Sequence, residues 1–310
     1  MHQRMKVLIG YDGSPCSDAA LQDLQRTGLP AEVEALVLSV ADVFLPPISP
    51  PGSDSLDLPA IASLKATHPH ALHALEALEE AQALAQRAVE RLRTLFPAWQ
   101  VRAEAAADAP AWALIKKADA WQPDLVIVGS HGRSALGRLI LGSVSQKVLA
   151  HARCSVRIAR GRTDTSTAPV RLILGVDGSR HAEAAVGVVA QRRWPSGSEA
   201  KVVMALESLK IIPARHFQAT AEEERVWAHK VVAATAETLR AAGLVVSTLV
   251  VDGDPKALLP REAERWQADS IFVGARGVRG VERFLLGSVS AAVAARAPCS
   301  VEVVRPRPPT

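Results

Sequence analysis

Residues 129–145 read Gly129-Ser-His-Gly-Arg-Ser-Ala-Leu-Gly-Arg-Leu-Ile-Leu-Gly-Ser-Val-Ser145, and the fold follows from this stretch. Before it stands Asp124-Leu-Val-Ile-Val128, an apolar run of the kind that forms a parallel strand buried on both faces. After it, Val144, Val148 and Leu149 recur at helical spacing. The order is strand, glycine loop, helix. A helix start presents backbone N–H groups without intrahelical partners and the positive end of the peptide dipoles. Glycines let a loop backbone approach a ligand closely. Together these features make a place for phosphate. The same arrangement returns at Gly274-Ala-Arg-Gly277 and Gly287-Ser288, so both copies read Gly, two residues, Gly, nine residues, Gly-Ser.

The rest of the chain repeats with the loop. Met5-Lys-Val-Leu-Ile-Gly-Tyr-Asp-Gly-Ser14 matches Val170-Arg-Leu-Ile-Leu-Gly-Val-Asp-Gly-Ser179, and Arg153-Cys-Ser-Val-Arg-Ile158 matches Pro298-Cys-Ser-Val-Glu-Val303. A period this long marks duplicated domains rather than a solenoid. Asp12 to Gly129 spans 117 positions and Asp177 to Gly274 spans 97. The surplus falls mostly in a Pro-rich loop, Leu45-Pro-Pro-Ile-Ser-Pro-Pro-Gly-Ser-Asp54. Small polar residues at 161–169 read as a linker between a first domain, 1–160, and a second, 170–305.

Along the first copy, residues 5–11 form a buried strand ending in the turn signal Asp12-Gly13, and Ser17 caps a helix carrying Ala20, Leu21 and Leu24. Residues 35–40 form the second strand. A long helix from about residue 71 to 95 has a core stripe of Leu72, Leu75, Leu84, Val89, Leu92 and Leu95. A polar strand at 100–105 suits a sheet edge, and 110–121 is a short helix. The second copy repeats this, with Asp254-Pro255 starting one helix and Ala242-Gly243 ending another. Alternating strands and helices fold as a doubly wound parallel sheet with right-handed crossovers. Such α/β sheets bind ligands beyond the carboxyl ends of their strands. Asp12 and Gly129 stand at two of those ends.

Composition narrows the classes. An apolar fraction of 48% and a charged fraction of 22% belong to a soluble globular protein, and 310 residues suffice for two domains. A net charge of +4 without a basic block or interleaved aromatics gives no nucleic-acid signature. No apolar run is long enough for a bilayer, and the N-terminus enters a strand with no leader pattern. Three cysteines, Cys16, Cys154 and Cys299, without metal spacing fit a reducing cytoplasm.

At the shared crevice, an Asp can accept from a base or ribose, while Gly132, Gly142, Ser143 and Val144 offer N–H groups to phosphates. Walker A and Rossmann spacings are both missing, so neither common nucleotide fingerprint applies. On spacing alone the glycines can equally be turn residues.

The repeated pattern resembles the universal stress protein family in tandem form, over nearly the whole chain. The ATP-binding branch of that family carries Gly-x2-Gly-x9-Gly-Ser/Thr, matched by Gly129, Gly132, Gly142 and Ser143, followed by Val144, and by Gly274, Gly277, Gly287 and Ser288, followed by Val289. The resemblance places an adenine-contacting Asp at Asp12 and Asp177, and a base-lining residue at Val40 and, in the second copy, at Leu206. It implies two tandem five-stranded sheets of strand order 3-2-1-4-5, adenine nucleotide α-hydrolase-like, paired through their last strands as an intrachain pseudo-dimer. Further homodimerisation stays open. The implied ligand is ATP, or ADP or AMP, with Mg²⁺ accompanying the triphosphate. The implied role is a stress or regulatory module read by a protein partner, with no nucleic acid or membrane.

The copies diverge inside the loop: Ser130-His131 and Arg133-Ser134 in the first, Ala275-Arg276 and Val278-Arg279 in the second, with Arg138 and Arg283 equivalent. A bulkier Leu206 in Val40's place is expected to crowd the second base. No general base or phosphoryl acceptor stands out, so a dedicated enzyme is not expected, with slow hydrolysis left open. A nucleotide-hydrolysing or adenylyl-transferring enzyme and an interaction-only stress protein remain the alternatives. His68, His70 and His73 read as solvated groups rather than a zinc site, because no carboxylate or Cys stands at a fixed offset. Cys154 and Cys299 read as packing residues.

Overall fold

A computed structural model describes residues 4–43, 69–132, 141–160, 168–206, 220–277 and 286–306. The Pro-rich loop and His68 lie outside them. The first half runs β1 (Met5–Gly10), α1 (Pro15–Asp23), β2 (Val33–Ala41), α2 (Pro69–Leu95), β3 (Gln100–Ala107), α3 (Pro110–Trp121), β4 (Leu125–Gly129), α4 (Ser143–His151) and β5 (Ser155–Ala159). The second runs β6 (Arg171–Gly175), α5 (Arg180–Gln191), β7 (Glu199–Ala205), α6 (Ala221–Ala241), β8 (Val245–Val251), α7 (Pro255–Trp266), β9 (Ser270–Gly274), α8 (Ser288–Arg296) and β10 (Ser300–Val304).

Local chemistry sets the helix starts. Ser14 caps α1, its hydroxyl accepting from the Ser17 N–H at 3.2 Å, and Ser179 caps α5 in the same way. This corrects the expectation that Ser17 is the cap. Pro15 has a fixed φ and no N–H to satisfy, so it takes the first helical position and Ser17 falls inside the first turn. Thr220 and Glu223 form a capping box on α6. Asp254 caps α7, as its Asp-Pro pair predicts. The core stripe of α2 is narrower in leucine than expected. Leu84 and Leu95 are half-buried, while Ala81, Ala85 and Ala88 are buried beside Val89 and Leu92, which lets the helix lie close on the sheet.

Ten strands form one sheet in the order β3-β2-β1-β4-β5-β10-β9-β6-β7-β8. Within each half the neighbouring strands are parallel. The halves join where β5 and β10 pair antiparallel, Arg157 facing Glu302. Those two residues are sequence equivalents, so the approximate twofold axis relating the halves passes between them.

The two sides of this junction are built differently. On the side of α3, α4, α7 and α8, one apolar core runs through both halves, from Leu36 and Val126 across Val156 and Val301 to Val273 and Val203. On the other side, α1 with α2 and α5 with α6 cover separate cores. Between those lies a buried charged chain. Arg157 donates to Asp23 at 2.6 and 3.0 Å and to Ser270 at 2.8 Å. It also approaches Glu302 at 3.5 Å. Glu302 accepts from Arg192, whose guanidinium also reaches the Thr27 carbonyl at 3.0 Å. Arg157 has no exposed surface. Its charge is offset by the bidentate Asp23 and by Glu302 across the axis, which is the condition for keeping a guanidinium inside a protein. Two copies of the first half would set Arg157 against Arg157, and two of the second Glu302 against Glu302.

Candidate nucleotide site

β1 and β4 are adjacent, so the segments that leave their carboxyl ends meet. Asp12 lies two residues beyond β1. Its Oδ1 accepts from the Ser14 N–H at 3.0 Å, which fixes the carboxylate, and its Oδ2 lies against Gly132. A Cβ on Gly132 would sit 3.0 Å from that oxygen. In the second half Asp177 accepts from the Ser179 N–H at 3.0 Å, and a Cβ on Gly277 would sit 2.5 Å from its Oδ2. The second glycine of each motif thus lets the loop backbone close on the aspartate.

The first glycine does something else. A Cβ on Gly129 would meet the Cys16 carbonyl group at 3.0 Å, and one on Gly274 would meet the His181 carbonyl carbon at 2.5 Å. These glycines seat α1 and α5 on the sheet. Their place in the motif reflects helix packing.

The third glycine closes the loop's neck. The Gly142 N–H donates to the Ser130 carbonyl at 2.8 Å, and Gly287 to Ala275 at 2.8 Å. Each is then the N-cap of its helix, extended at φ −62° and −64°, with no side chain to cap the first turn. Ser143 and Val144, and Ser288 and Val289, follow with their N–H groups at the helix start. Such an end favours an anion through both its donors and its dipole. Ser145 and Ser290 tie the helix to the strand end, donating to the Gly129 carbonyl at 2.7 Å and the Gly274 carbonyl at 2.6 Å. Neither serine was singled out from the sequence, although both stand at the same place in the repeated Gly-Ser-Val-Ser.

Val40, on β2, packs half-buried on the shared core, as does Val144. The equivalence of Val40 with Leu206 does not hold. β2 and β7 pair with β1 and β6 in the same register, Gly10 with Leu38 and Gly175 with Val203, which puts Ala205 in Val40's place. Side chains alternate along a strand, so a one-residue shift moves Leu206 to the opposite face. There it is buried in the core under α5 and α6, whereas Ala205 lies in the shared core with Val40 and Val289. The residue in Val40's place is therefore smaller in the second half, which removes the ground for the expected crowding.

The opposite face of the sheet differs between the halves as well. The Trp227 ring, on α6, lies on the turn after Asp177, where a Cβ on Gly178 would be 2.7 Å from its Cη2 and Cζ2. Gly178 has a φ of +74°, the left-handed region that favours glycine. Matching the buried stripes Ala81-Ala85-Val89-Leu92 and Ala228-Val232-Ala236-Leu239 puts the exposed Glu80 in Trp227's place in the first half. Tyr11, next to Asp12, donates to Asp18 at 2.8 Å; burial and that hydrogen bond push its phenol up to about 12. Val176 occupies the same place in the second half.

His131 Nδ1 lies 3.1 Å from the Ser130 hydroxyl. Burial, then the Arg160 charge, hold its pKa below the usual imidazole range. His181 is lowered by burial and by Arg276, against the opposing pull of Asp177. Burial pushes the thiols of Cys154 and Cys299 up to about 11 and about 12, which suits packing rather than redox work. Arg133, Ser134, Arg138, Val278, Arg279 and Arg283 lie outside the described residues, as does the His70 side chain. His73 is exposed beside Glu76 at 3.5 Å. Among the described residues no group of three or more His, Cys, Asp and Glu gathers, and no helix is long and apolar enough to cross a membrane.

Fold and site together define a class: a duplicated, doubly wound α/β protein with a glycine loop at the carboxyl edge of each parallel sheet. The Universal stress protein family model matches residues 3–160 and again 170–305, and the chain belongs to that family. It is 30% identical to a universal stress protein of Mycolicibacterium smegmatis over 311 aligned residues, covering 97% of each chain. It is 33% identical to a universal stress protein of Mycobacterium tuberculosis, over 58% of this chain and 62% of that one, so the match spans less than two thirds of that relative. Among solved structures, a universal stress protein of Archaeoglobus fulgidus superposes with a TM-score of 0.64 at 21% identity, covering 97% of this chain and 98% of that one. A protein of unknown function from Pseudomonas aeruginosa gives 0.56 at 15% identity, covering 98% and 93%.

Proposed function

We propose that each half binds one adenine nucleotide, ATP or its ADP or AMP counterpart, and that the chain acts as a nucleotide-dependent regulatory module read by a protein partner. One observation carries the reading. In both halves a fixed aspartate, the second glycine of the motif and a helix start without a side-chain cap converge at the carboxyl edge of the sheet. Asp12 and Asp177 suit the amino or hydroxyl donors of a base or ribose. The Ser143-Val144 and Ser288-Val289 amides suit phosphate. Val40 and Ala205 line the base side, with Leu206 behind the sheet. Gly129 and Gly274 contribute by seating their helices. A Mg²⁺ arriving with the triphosphate would be held through phosphate oxygens.

Among the described residues Ser130 and His131 are the hydroxyl–imidazole pair at this edge, and no third group orients the imidazole through its Nε2, which favours a binding role over a dedicated enzyme. Placement in the cytoplasm belongs to the same reading. The first test is chromatography of small molecules released from the denatured protein, followed by calorimetry with added ATP. Adenine nucleotide at about two per chain supports the reading, with the mass action of two filled sites also raising the melting temperature. A chain that releases none and takes up no added ATP is an interaction-only protein. Substrate-dependent release of pyrophosphate would make it an enzyme.

A further inference from the structure

Each half sends one arginine into the other. Arg160 follows β5, and its Nη2 donates to the carbonyls of Ala294 at 2.7 Å and Ala295 at 3.3 Å, in the last turn of α8. Arg305 follows β10, and its guanidinium donates to Leu149 at 2.6 Å, in the last turn of α4, and to the Cys154 carbonyl at 3.2 Å. Their backbones cross over too: Arg160 N–H donates to the Ser300 hydroxyl at 2.9 Å, Arg305 N–H to the Ser155 hydroxyl at 3.1 Å. The antiparallel junction makes this possible, because it brings the end of each last strand beside the start of the other and so beside the helix that precedes it.

The exchange matters because of what lies at the other end of those helices. α4 and α8 have nine residues each. Their N-termini form the two glycine-loop sites, about 13 Å from their C-termini at 1.5 Å per residue. Helices this short are marginal by themselves. Their last carbonyls have no intrahelical partner, and a cation there satisfies them and complements the dipole. Arg160 acts electrostatically on His131, next to Gly132, and Arg305 acts on Arg276 and His181.

We propose that Arg160 and Arg305 are positioning residues for the opposite half's site, each closing the C-terminal end of the helix whose N-terminus receives the phosphates. Neither half then builds its site alone. The inference rests on the nucleotide reading above.

The test uses the full chain. With the first site blocked by Gly142→Val, Arg160→Met, which keeps the apolar stem, is expected to weaken ATP binding at the second site about two- to tenfold by calorimetry, the worth of a lost hydrogen-bonded cap. With the second site blocked by Gly287→Val, the same change should leave the first within about twofold. Arg305→Met should give the mirror pattern, and Arg160→Lys should recover part of the loss. Equal loss at both sites, or loss only at the arginine's own site, overturns the proposal. Hydrogen exchange of the unliganded chain carrying Arg160→Met alone separates the two readings. Faster exchange of the hydrogen-bonded amides of α8 but not of α4 supports the link even if the chain takes up no ATP, in which case the nucleotide reading fails by itself. Unchanged exchange at α8 overturns the link.

Discussion

The two halves share a backbone frame and differ in what stands on it. Both close a loop neck with the same glycine-to-carbonyl hydrogen bond, at 2.8 Å in each, and both fix an aspartate through the N–H of a capping serine at 3.0 Å. Around that frame the first half has Val40, Tyr11, His131 and Glu80 where the second has Ala205, Val176, Arg276 and Trp227. The shared parts are those where a side chain would collide with backbone or leave an amide unpaired. The differing parts stand around the frame on both faces of the sheet. The two copies thus share the loop-and-aspartate frame and differ in the residues around it. At the axis the halves differ in a way that joins them, because Arg157 faces Glu302 where identical halves would face like with like.

That joint gives the largest expected effect. Arg157→Met leaves Asp23 and Glu302 buried without their shared cation, and is expected to cost about 3–5 kcal/mol, the range for breaking a buried ion pair. Urea unfolding followed by circular dichroism measures it, and a loss under about 1 kcal/mol would mean that Arg192 alone serves Glu302.

Next comes the shared frame. Gly142→Val with Gly287→Val places Cβ atoms 3.2 and 3.1 Å from the carbonyls that close the loop necks. ATP affinity should fall by about a hundredfold or more, since about 1.4 kcal/mol is a factor of ten and both donors and loop shape are disturbed. Retained affinity in the double variant would move the site elsewhere.

The aspartates sharpen the comparison. Asp12→Ala, with the second site blocked, should weaken ATP by about tenfold while leaving tripolyphosphate nearly unchanged, as expected for a hydrogen bond to a charged group. If both ligands weaken alike, Asp12 serves only the turn.

Trp227 tests whether the second site extends over the turn after Asp177. Trp227→Ala should weaken the second site by about fivefold, within the range for stacking a base on an aromatic ring, and should remove a fluorescence change on ATP binding that the first half lacks. Tighter binding in that variant would mean that the ring obstructs the site. Glu80→Ala should change nothing.

The smallest effect is in pH. His131 and His181 have folded pKa values below 6.5, so as pH falls through 6.5 the unfolded chain takes up protons first and the folded state loses stability. Replacing both by Asn should flatten that slope slightly between pH 5 and 7, as read from melting temperatures; a steeper slope would place the pH sensitivity elsewhere.

Much of this molecule is legible along the chain because it depends on local rules. Asp254-Pro255 starts a helix by capping and fixed φ, and Ala242-Gly243 ends one at a residue with φ +88°. Apolar runs separated by amphipathic stretches call for a parallel sheet with two helical layers. The reading slips over short shifts along the chain, three residues for the helix cap and one residue of register on β7. Ser17 and Leu206 are each misplaced by a local shift that composition does not penalise. At the end of β7, both Ala205 and Leu206 are apolar, and the sequence does not say which faces the site.

By itself, then, the sequence determined the duplicated α/β architecture, the strand-loop-helix order, a shared crevice for each strand-end aspartate and its glycine loop, and the family. Those follow from periodicity, capping and turn chemistry, which act over a few residues. Only the tertiary structure decided that the first glycine packs a helix, that Ala205 replaces Val40, that Arg157 is buried on the axis, and that Arg160 and Arg305 cross between halves. Each of those is a contact between segments distant in sequence. Their energies come from burial and from hydrogen bonds that exist only once the two sheets have become one.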